Sequence, residues 1–526
     1  MNSLVLIYLF IDYRIYLVTK THLGIKQIVE LVSVFDLVAD STRHTGQQLL
    51  TVILEVVSVC LLPLLAAIAG LANGSFRIKT RFLAISILLA VLHFSYFSFF
   101  CRNVSLLSFL PLRLELGNLP FPAHPAVAAD RKLVSIIRQK INVRDSRLYP
   151  KLIFKKDKNF RSPNLVIIAA ESLRRKEFDE YMPRTKKVAR EGLWLSNHFS
   201  TSNISASSFH GIFRSSFPVN LSFRDESLNR EIDFQNFLLA NGYETVLLKA
   251  SNYSAFPARM TWGKKSIELD IPDKARNPEI LLNETLRLMR QPGKKAIFVY
   301  TFNTHFNYYY PEDFESHVPV LDENENLFLL TPDAKTVEKV RNRYINSVQW
   351  LDIQLGNFFR RAKEEGYFEN TVFVLFGDHG ESLGEAGFFA HATGPHKSQF
   401  ETPAFIVGSG IESQICQKPT THSDLLPILA EQLNVNTGNA WGRHLQNCSY
   451  PILQIDESVT GRLIVRHEDF MSIFDLDVRG NLTWLATVGN DYTINESLAG
   501  LYVQQNFTAL ADQIAADSSY IKSRLE

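Results

Sequence analysis

The feature that most constrains this chain is the run Asn370-Thr371-Val372-Phe373-Val374-Leu375-Phe376. It is apolar nearly throughout and stops abruptly at Gly377-Asp378-His379-Gly380-Glu381. A short, continuous apolar run reads as a strand covered on both faces, as in a parallel sheet with helices packed on either side. In such sheets ligands and reacting groups collect just beyond the carboxyl ends of the strands. An Asp and a His side by side there offer one oxygen and one nitrogen ligand to the same metal ion. The pair also suits an ordinary strand-to-loop turn in which Asp caps the next helix, so the other strand ends decide what it means.

From Asn164 onward the texture repeats. Residues 165–170 form an apolar run ending in Glu171-Ser172, residues 244–248 form a second, and residues 296–301 a third that leads into Asn303-Thr304-His305. Residues 403–407 form a further strand, while residues 185–191 and 337–359 carry helical patterns. This alternation predicts an α/β fold, a mostly parallel sheet with helices on both faces, over residues 163–435. Residues 463–466 and 482–486 read as strands of a small C-terminal subdomain covering 436–526.

The first hundred residues differ in kind. Residues 50–72 carry one charge, Glu55, and residues 82–101 carry none. Both are long enough to cross a bilayer as helices, and residues 4–19, interrupted by Asp12 and Arg14, read as a shorter third span. The connection between the two long spans holds Arg77, Lys79 and Arg81 and no acid. That bias predicts a cytoplasmic connection, so everything beyond residue 101 lies outside the cytoplasm. Residues 1–101 are thus expected to be a transmembrane region in contact with the lipid bilayer, and the Pro-rich residues 102–162 a linker.

Lys and Arg number 55 against 54 Asp and Glu, with a net charge of +1 and no basic block. Nucleic acid is therefore not an expected partner. The four cysteines form no CxxC pattern, which excludes a cysteine metal framework. Cys60 and Cys101 sit in or at the end of apolar segments, whereas Cys416 and Cys448 fall in the extracytoplasmic part, where they are able to pair.

Glu171, Asp378 and His379 together give an O, O, N ligand set that leaves one position open, the pattern of a catalytic rather than a closed structural site. Such a set suits Zn or Mn, and less well Mg or Ca. A hydroxyl-rich loop, Thr201-Ser202-Asn203-Ile204-Ser205-Ala206-Ser207-Ser208, runs into Phe209-His210-Gly211-Ile212-Phe213, which reads as a helix start. A serine at a helix N-terminus faces free N–H groups that favour an attached anion, and a neighbouring metal lowers its pKa. The same cluster also serves as a plain helix cap.

The order of these pieces resembles the sulfatase-like branch of the alkaline phosphatase superfamily. The pieces are strand-Glu171, the serine loop and helix, Thr304-His305, Gly377-Asp378-His379-Gly380-Glu381, His391 ahead of a strand that opens with Pro403, and a closing Thr421-His422-Ser423-Asp424-Leu425-Leu426-Pro427. Membrane anchoring by several helices is similar to lipoteichoic acid synthases, phosphoethanolamine transferases and inner-membrane sulfatase-like proteins of Gram-negative bacteria. The resemblance implies a divalent metal held by Glu171, Asp378 and His379 with the nucleophile as a further ligand, and His305 and His391 at the substrate. Two serines compete as nucleophile and metal ligand: Ser205, counting back from Pro218, and Ser207, matching the Ser-Ser before the apolar helix. Ser207 is preferred because it is nearer the expected helix start. Where the family has Thr-Ser-Asp this chain reads Ser207-Ser208-Phe209. No Cys/Ser-x-Pro-Ser-Arg stretch lies between Asn197 and Pro218, which argues against a formylglycine-type sulfatase. Glu381 is expected as a cap or supporting partner, and Trp262 and Arg259 fall in a loop where relatives bind the head group, a position that suits a plain surface aromatic equally well. The implied activity is transfer or hydrolysis of phosphate (or sulfate) esters through a covalent serine. Its substrates would be a membrane lipid or envelope glycan, and its place the bacterial inner membrane with the catalytic domain outside the cytoplasm. A catalytically reduced protein that binds anionic lipid or a membrane partner is the alternative.

Overall fold

The computed structural model describes residues 151–490 except 218–230, 251–261, 264, 272–275, 323–324, 326–332, 458–461 and 477–481. The expected membrane spans at 4–19, 50–72 and 82–101 lie outside the described residues. Among the described residues no helix is long and apolar enough to cross a membrane.

Among the described residues eight strands form the main sheet: β1 (Asn164–Ala170), β2 (Leu193–Leu195), β3 (Tyr243–Ala250), β4 (Ile267–Ile271), β5 (Lys294–Thr301), β6 (Thr371–Gly377), β7 (Ala404–Gly408) and β8 (Gln414–Cys416). Their order is β8-β2-β7-β6-β1-β5-β3-β4. β7 pairs antiparallel with both β6 and β2, and every other pairing is parallel. The sheet is therefore mixed, with one strand reversed.

Alternation along the strands explains the continuous apolar runs, since successive side chains point to opposite faces. Leu165, Ile167 and Ala169 of β1 share one core with Phe298 and Tyr300 of β5 and Val374 and Phe376 of β6. Over this face lie α3 (Ser205–Arg214), α4 (Asp233–Ala240) and α7 (His422–Gln432), which contribute Phe209, Phe213, Phe234, Leu425 and Leu429. On the other face α1 (Arg175–Tyr181) and α6 (Ala334–Glu364) pack their rings against Phe373 and Phe405, with centroid distances of 5.7 Å for Phe359–Phe373 and 6.4 Å for Phe178–Phe405. Asp352 of α6 accepts from the N–H groups of Arg184 (3.1 Å) and Thr185 (2.8 Å), capping the helix that starts at Pro183. The Thr421–Asp424 pair of the closing motif is a capping box at the start of α7.

A second, antiparallel sheet follows, β9 (Ile452–Asp456), β10 (Arg462–Arg466), β11 (Phe470–Leu476) and β12 (Leu482–Gly489), in sequential order. It belongs to the same compact unit as the main sheet. Cys416 and Cys448 are buried and carry free thiols.

Candidate active site and metal centre

Parallel registers assemble the site. Ala170 lies opposite both Thr301 and Gly377, so the chain leaves β1, β5 and β6 at one level. Glu171, the segment around Asn303-Thr304-His305, and Asp378-His379 therefore emerge side by side. The glycines flanking Asp378-His379 are steric necessities. A Cβ on Gly377 would meet the Leu173 carbonyl at 2.4 Å, and one on Gly380 would meet the Ser398 carbonyl at 1.9 Å.

Glu171, Asp378 and His379 are all essentially inaccessible to solvent. One ligand atom from each lies within 4.8 Å of the others. His379 Nε2 is 3.4 Å from Glu171 Oε1 and 3.6 Å from Asp378 Oδ2. Nδ1 of His379 lies 2.9 Å from the Gly380 carbonyl, so it carries the hydrogen and Nε2 presents a lone pair. Asp378 is fixed from behind. Its Oδ1 accepts from the backbone N–H of Ser172 and of His379, both at 2.8 Å, and its Oδ2 accepts from Tyr300 OH at 3.0 Å. Ser172 holds a left-handed backbone (φ +54°) to make this contact. The Thr304 hydroxyl donates to the Glu171 carbonyl.

A second trio, Glu171, His305 and His391, meets the same 4.8 Å span, so Glu171 belongs to both. The ring centroids of His391 lie 4.3 Å from His379 and 5.3 Å from His305. His391 Nδ1 is 2.9 Å from Glu381 Oε2, and the other oxygen of this fully buried carboxylate accepts from Tyr308 OH at 3.0 Å. His305 Nδ1 lies 2.6 Å from the Phe306 carbonyl and its ring stacks on Phe302 at 4.4 Å. Both rings thus keep Nε2 available for the site.

Burial, and then the negative charge of Asp378, push the Glu171 carboxyl well above the usual range. Burial also works against ionised Asp378, but His379 and the hydrogen bonds it accepts hold it below its ordinary value. Desolvation and then His391 lower His305 to about 4. Burial opposes ionised Glu381 as well, yet His391 beside it keeps that carboxyl low. Two inaccessible carboxylates and a bare imidazole nitrogen converging on one point is a donor set that a divalent cation fits: like charges at this separation are stabilised by a positive ion between them.

The structure separates the two serines. α3 begins at Ser205, with Ile204 as its cap residue, and not near Phe209. Ser205 Oγ lies 3.3 and 3.2 Å from the two Glu171 oxygens and 3.3 Å from His379 Nε2. Ser207, two residues on and roughly 200° further around the helix, turns its hydroxyl to Glu457 Oε1 at 2.7 Å. The group therefore contains Ser205 and not Ser207, against the preference drawn from an assumed later helix start. The first intrahelical bond near the start runs from Ser208 N–H to Ile204 O. The amides of residues 205–207 thus precede the intrahelical ladder, on the side where an anion is favoured. Phe209, standing where the resemblance has an acid, is core, with ring centroids 5.5 Å from Phe298 and 5.0 Å from Tyr300.

Trp262 is inaccessible and packs on Phe213 at 5.2 Å, so it is a core residue, neither a surface aromatic nor a head-group contact. Arg259 lies outside the described residues. His396 caps a local turn by accepting from Ser398 N–H at 3.1 Å. Sequence reasoning missed Tyr300, Tyr308 and Asn203. The position of Tyr300 at the end of β5 was the one available signal; the other two are brought in by loops whose path no local pattern specifies.

A family profile described as Sulfatase matches residues 163–435, more than half of the chain. Among curated proteins, an arylsulfatase of Clostridium perfringens is 22% identical over 169 residues, covering 31% of this chain and 29% of its own length. Phosphoethanolamine transferase EptA of Escherichia coli (strain K12) is 29% identical over 133 residues, 23% of each chain. Lipoteichoic acid synthase 2 of Bacillus subtilis is 26% identical over 131 residues, 23% of this chain and 20% of its own. These alignments span less than a third of the curated relatives' length. Among solved structures, a putative sulfatase of Bacteroides thetaiotaomicron shares the fold with a TM-score of 0.55 at 15% identity, covering 69% of this chain and 93% of that one. The fold is thus shared with that putative sulfatase, and the chain belongs to the sulfatase family, whose profile covers more than half of it.

Proposed function

We propose that this chain is a membrane-anchored, metal-dependent phosphotransferase or phosphoesterase that moves a lipid-derived phospho-group in the bacterial cell envelope through a covalent Ser205 intermediate. The observation that carries the reading is Ser205 Oγ at 3.2–3.3 Å from both Glu171 and His379, at the first position of α3. Glu171, Asp378 and His379 would hold the ion, which when bound supplies a lowered hydroxyl pKa and a counter-charge for the transferred group. Zn or Mn suits these donors better than Mg or Ca.

Ser205 Oγ, its proton released to solvent, attacks phosphorus as the alkoxide. The bond from phosphorus to the leaving oxygen breaks, and protonated His391, held at Nδ1 by Glu381, hands the proton on Nε2 to that oxygen. The N–H groups opening α3 and the neighbouring His305 receive the non-bridging oxygens. In the second half, water or an envelope sugar hydroxyl gives its proton to His391 and attacks phosphorus, and Ser205 leaves as the alkoxide. The expected spans at 50–72 and 82–101, with residues beyond 101 outside the cytoplasm, would set this site beside the membrane surface, where a lipid head group is the natural donor.

The test uses the full chain loaded with Zn or Mn, bis(p-nitrophenyl) phosphate and p-nitrophenyl sulfate as substrates, and metal analysis of the wild type and Asp378→Ala. Turnover of the phosphodiester, with metal and activity both lost in the variant, is the expected result. Full metal content in Asp378→Ala sinks the metal assignment, and preference for the sulfate ester sinks the phospho-group assignment.

A further inference from the structure

Asn203 is fully buried two residues ahead of Ser205, and it touches two separate parts of the chain. Its side-chain amide nitrogen lies 2.8 Å from Asp456 Oδ1 at the end of β9, and 3.1 Å from Gln399 Oε1 and 3.3 Å from the Gly394 carbonyl in the loop that carries His391. Its Oδ1 accepts from the Glu457 N–H at 2.9 Å. Its own carbonyl accepts from the N–H of Ala392, the residue after His391, at 3.2 Å. Around it the C-terminal sheet grips the same two segments. Ile455 N–H donates to the Thr201 carbonyl at 2.8 Å and the Gln454 amide to the Ser200 carbonyl at 2.8 Å. From β10, Arg466 reaches the Pro395 carbonyl at 3.1 Å and Gln454 Oε1 at 2.6 Å.

Two loops, one ending in Ser205 and one holding His391, are thus tied together through one amide and anchored to a second sheet. An amide is the group the position requires, because it must donate to a carboxylate and to carbonyl-type oxygens while accepting a backbone N–H, which neither Asp nor an aliphatic residue does. We infer that Asn203 and Asp456 are positioning residues for the reaction, through which the C-terminal sheet holds Ser205 and His391 in mutual register. This rests on the assignment of Ser205 as nucleophile. The distances between reacting groups are the property at stake, and a misplacement of about 1 Å costs on the order of 100-fold in rate.

The experiment compares Asn203→Asp, Asp456→Asn and the double exchange in the full chain, reading kcat, KM, metal content and Tm with bis(p-nitrophenyl) phosphate. Asn203→Asp brings a carboxylate to where the Asp456 oxygen now lies 2.8 Å from the amide. It is expected to lower kcat by about 100-fold with KM and metal content nearly unchanged. The double exchange restores a donor–acceptor pair and is expected to regain at least about tenfold of kcat, a coupling that separate structural damage would not produce. A drop in Tm with kcat per metal-loaded molecule intact, or a double exchange no better than Asn203→Asp, overturns the inference. If Asn203→Asp does not fold, Asn203→Ser, which keeps one donor, is read by the same kcat criterion. Failure of the nucleophile assignment shows separately, as Ser205→Ala retaining activity in the same assay.

Discussion

Replacing Ser205 and Ser207 one at a time by Ala tests where the helix start places the chemistry. Ser205 Oγ touches Glu171 and His379 at 3.2–3.3 Å, so its removal takes away the atom to which the transferred group would be attached. Covalent turnover then stops, and kcat is expected to fall at least about 10³-fold. Folding should hardly notice, because Ala at the first helical position keeps the helix and the remaining partners of Glu171 stay in place. Ser207→Ala removes a different bond, 2.7 Å to Glu457, a hydrogen bond to a partly buried charged group worth about 1.5–3 kcal/mol. Its cost is therefore in stability, a lowered Tm, with kcat within about tenfold of wild type. Steady-state release of p-nitrophenol from bis(p-nitrophenyl) phosphate, thermal unfolding, and mass spectrometry of the quenched enzyme read the three quantities. Ser205→Ala turning over normally, or a phospho-adduct on Ser207, refutes the geometry-based choice.

The carboxylate of Glu381 serves two buried partners, His391 Nδ1 at 2.9 Å and Tyr308 OH at 3.0 Å. Glu381→Gln offers one oxygen and one NH2 in place of two oxygens, so one partner loses its bond. We expect kcat to fall about 10–100-fold, and Tyr308→Phe, which leaves the His391 contact, to fall markedly less; equal losses in the two variants would contradict the positioning of His391 by Glu381. His198 is buried with Nδ1 2.9 Å from Thr420 Oγ1, and burial, then Arg175, push its pKa down to about 3. Its folded pKa lies below its unfolded one, so the unfolded chain binds more protons in between. The stabilisation from keeping it neutral is complete above about 6.5 and is lost as pH falls towards 3, by an amount on the order of 5 kcal/mol at the acid limit. Between pH 7 and 4.5, denaturant unfolding should show the wild type losing roughly 2–3 kcal/mol more than His198→Gln, which no longer titrates; parallel losses would show that another group dominates acid unfolding.

Much of the frame was legible in the sequence because burial on both faces writes itself into β1 and β6 as unbroken apolar runs, and because parallel strands of that kind present their next residues at one end. Glu171, Asp378 and His379 were found in this way. The reversed direction of β7 was not, since a strand covered on both faces has the same apolar pattern whichever way it runs. β9 was passed over because its inward Gln454 and Asp456 are polar residues satisfied by partners from distant segments, which breaks the alternation that marks a strand.

The sequence by itself determined the α/β layering and the three residues that could share a metal. Tertiary structure decided which serine joins them, because a helix that begins at Ser205 instead of near Phe209 rotates every hydroxyl after it, and two residues of offset turn Ser207 away to Glu457. It also decided that Glu171 is common to two ligand trios and that Trp262 belongs to the core. Those outcomes depend on where loops return in space, and the directions of side chains on such loops follow from partners some 200 residues away and not from local pattern, as the Asn203–Asp456 pair shows across a separation of 253.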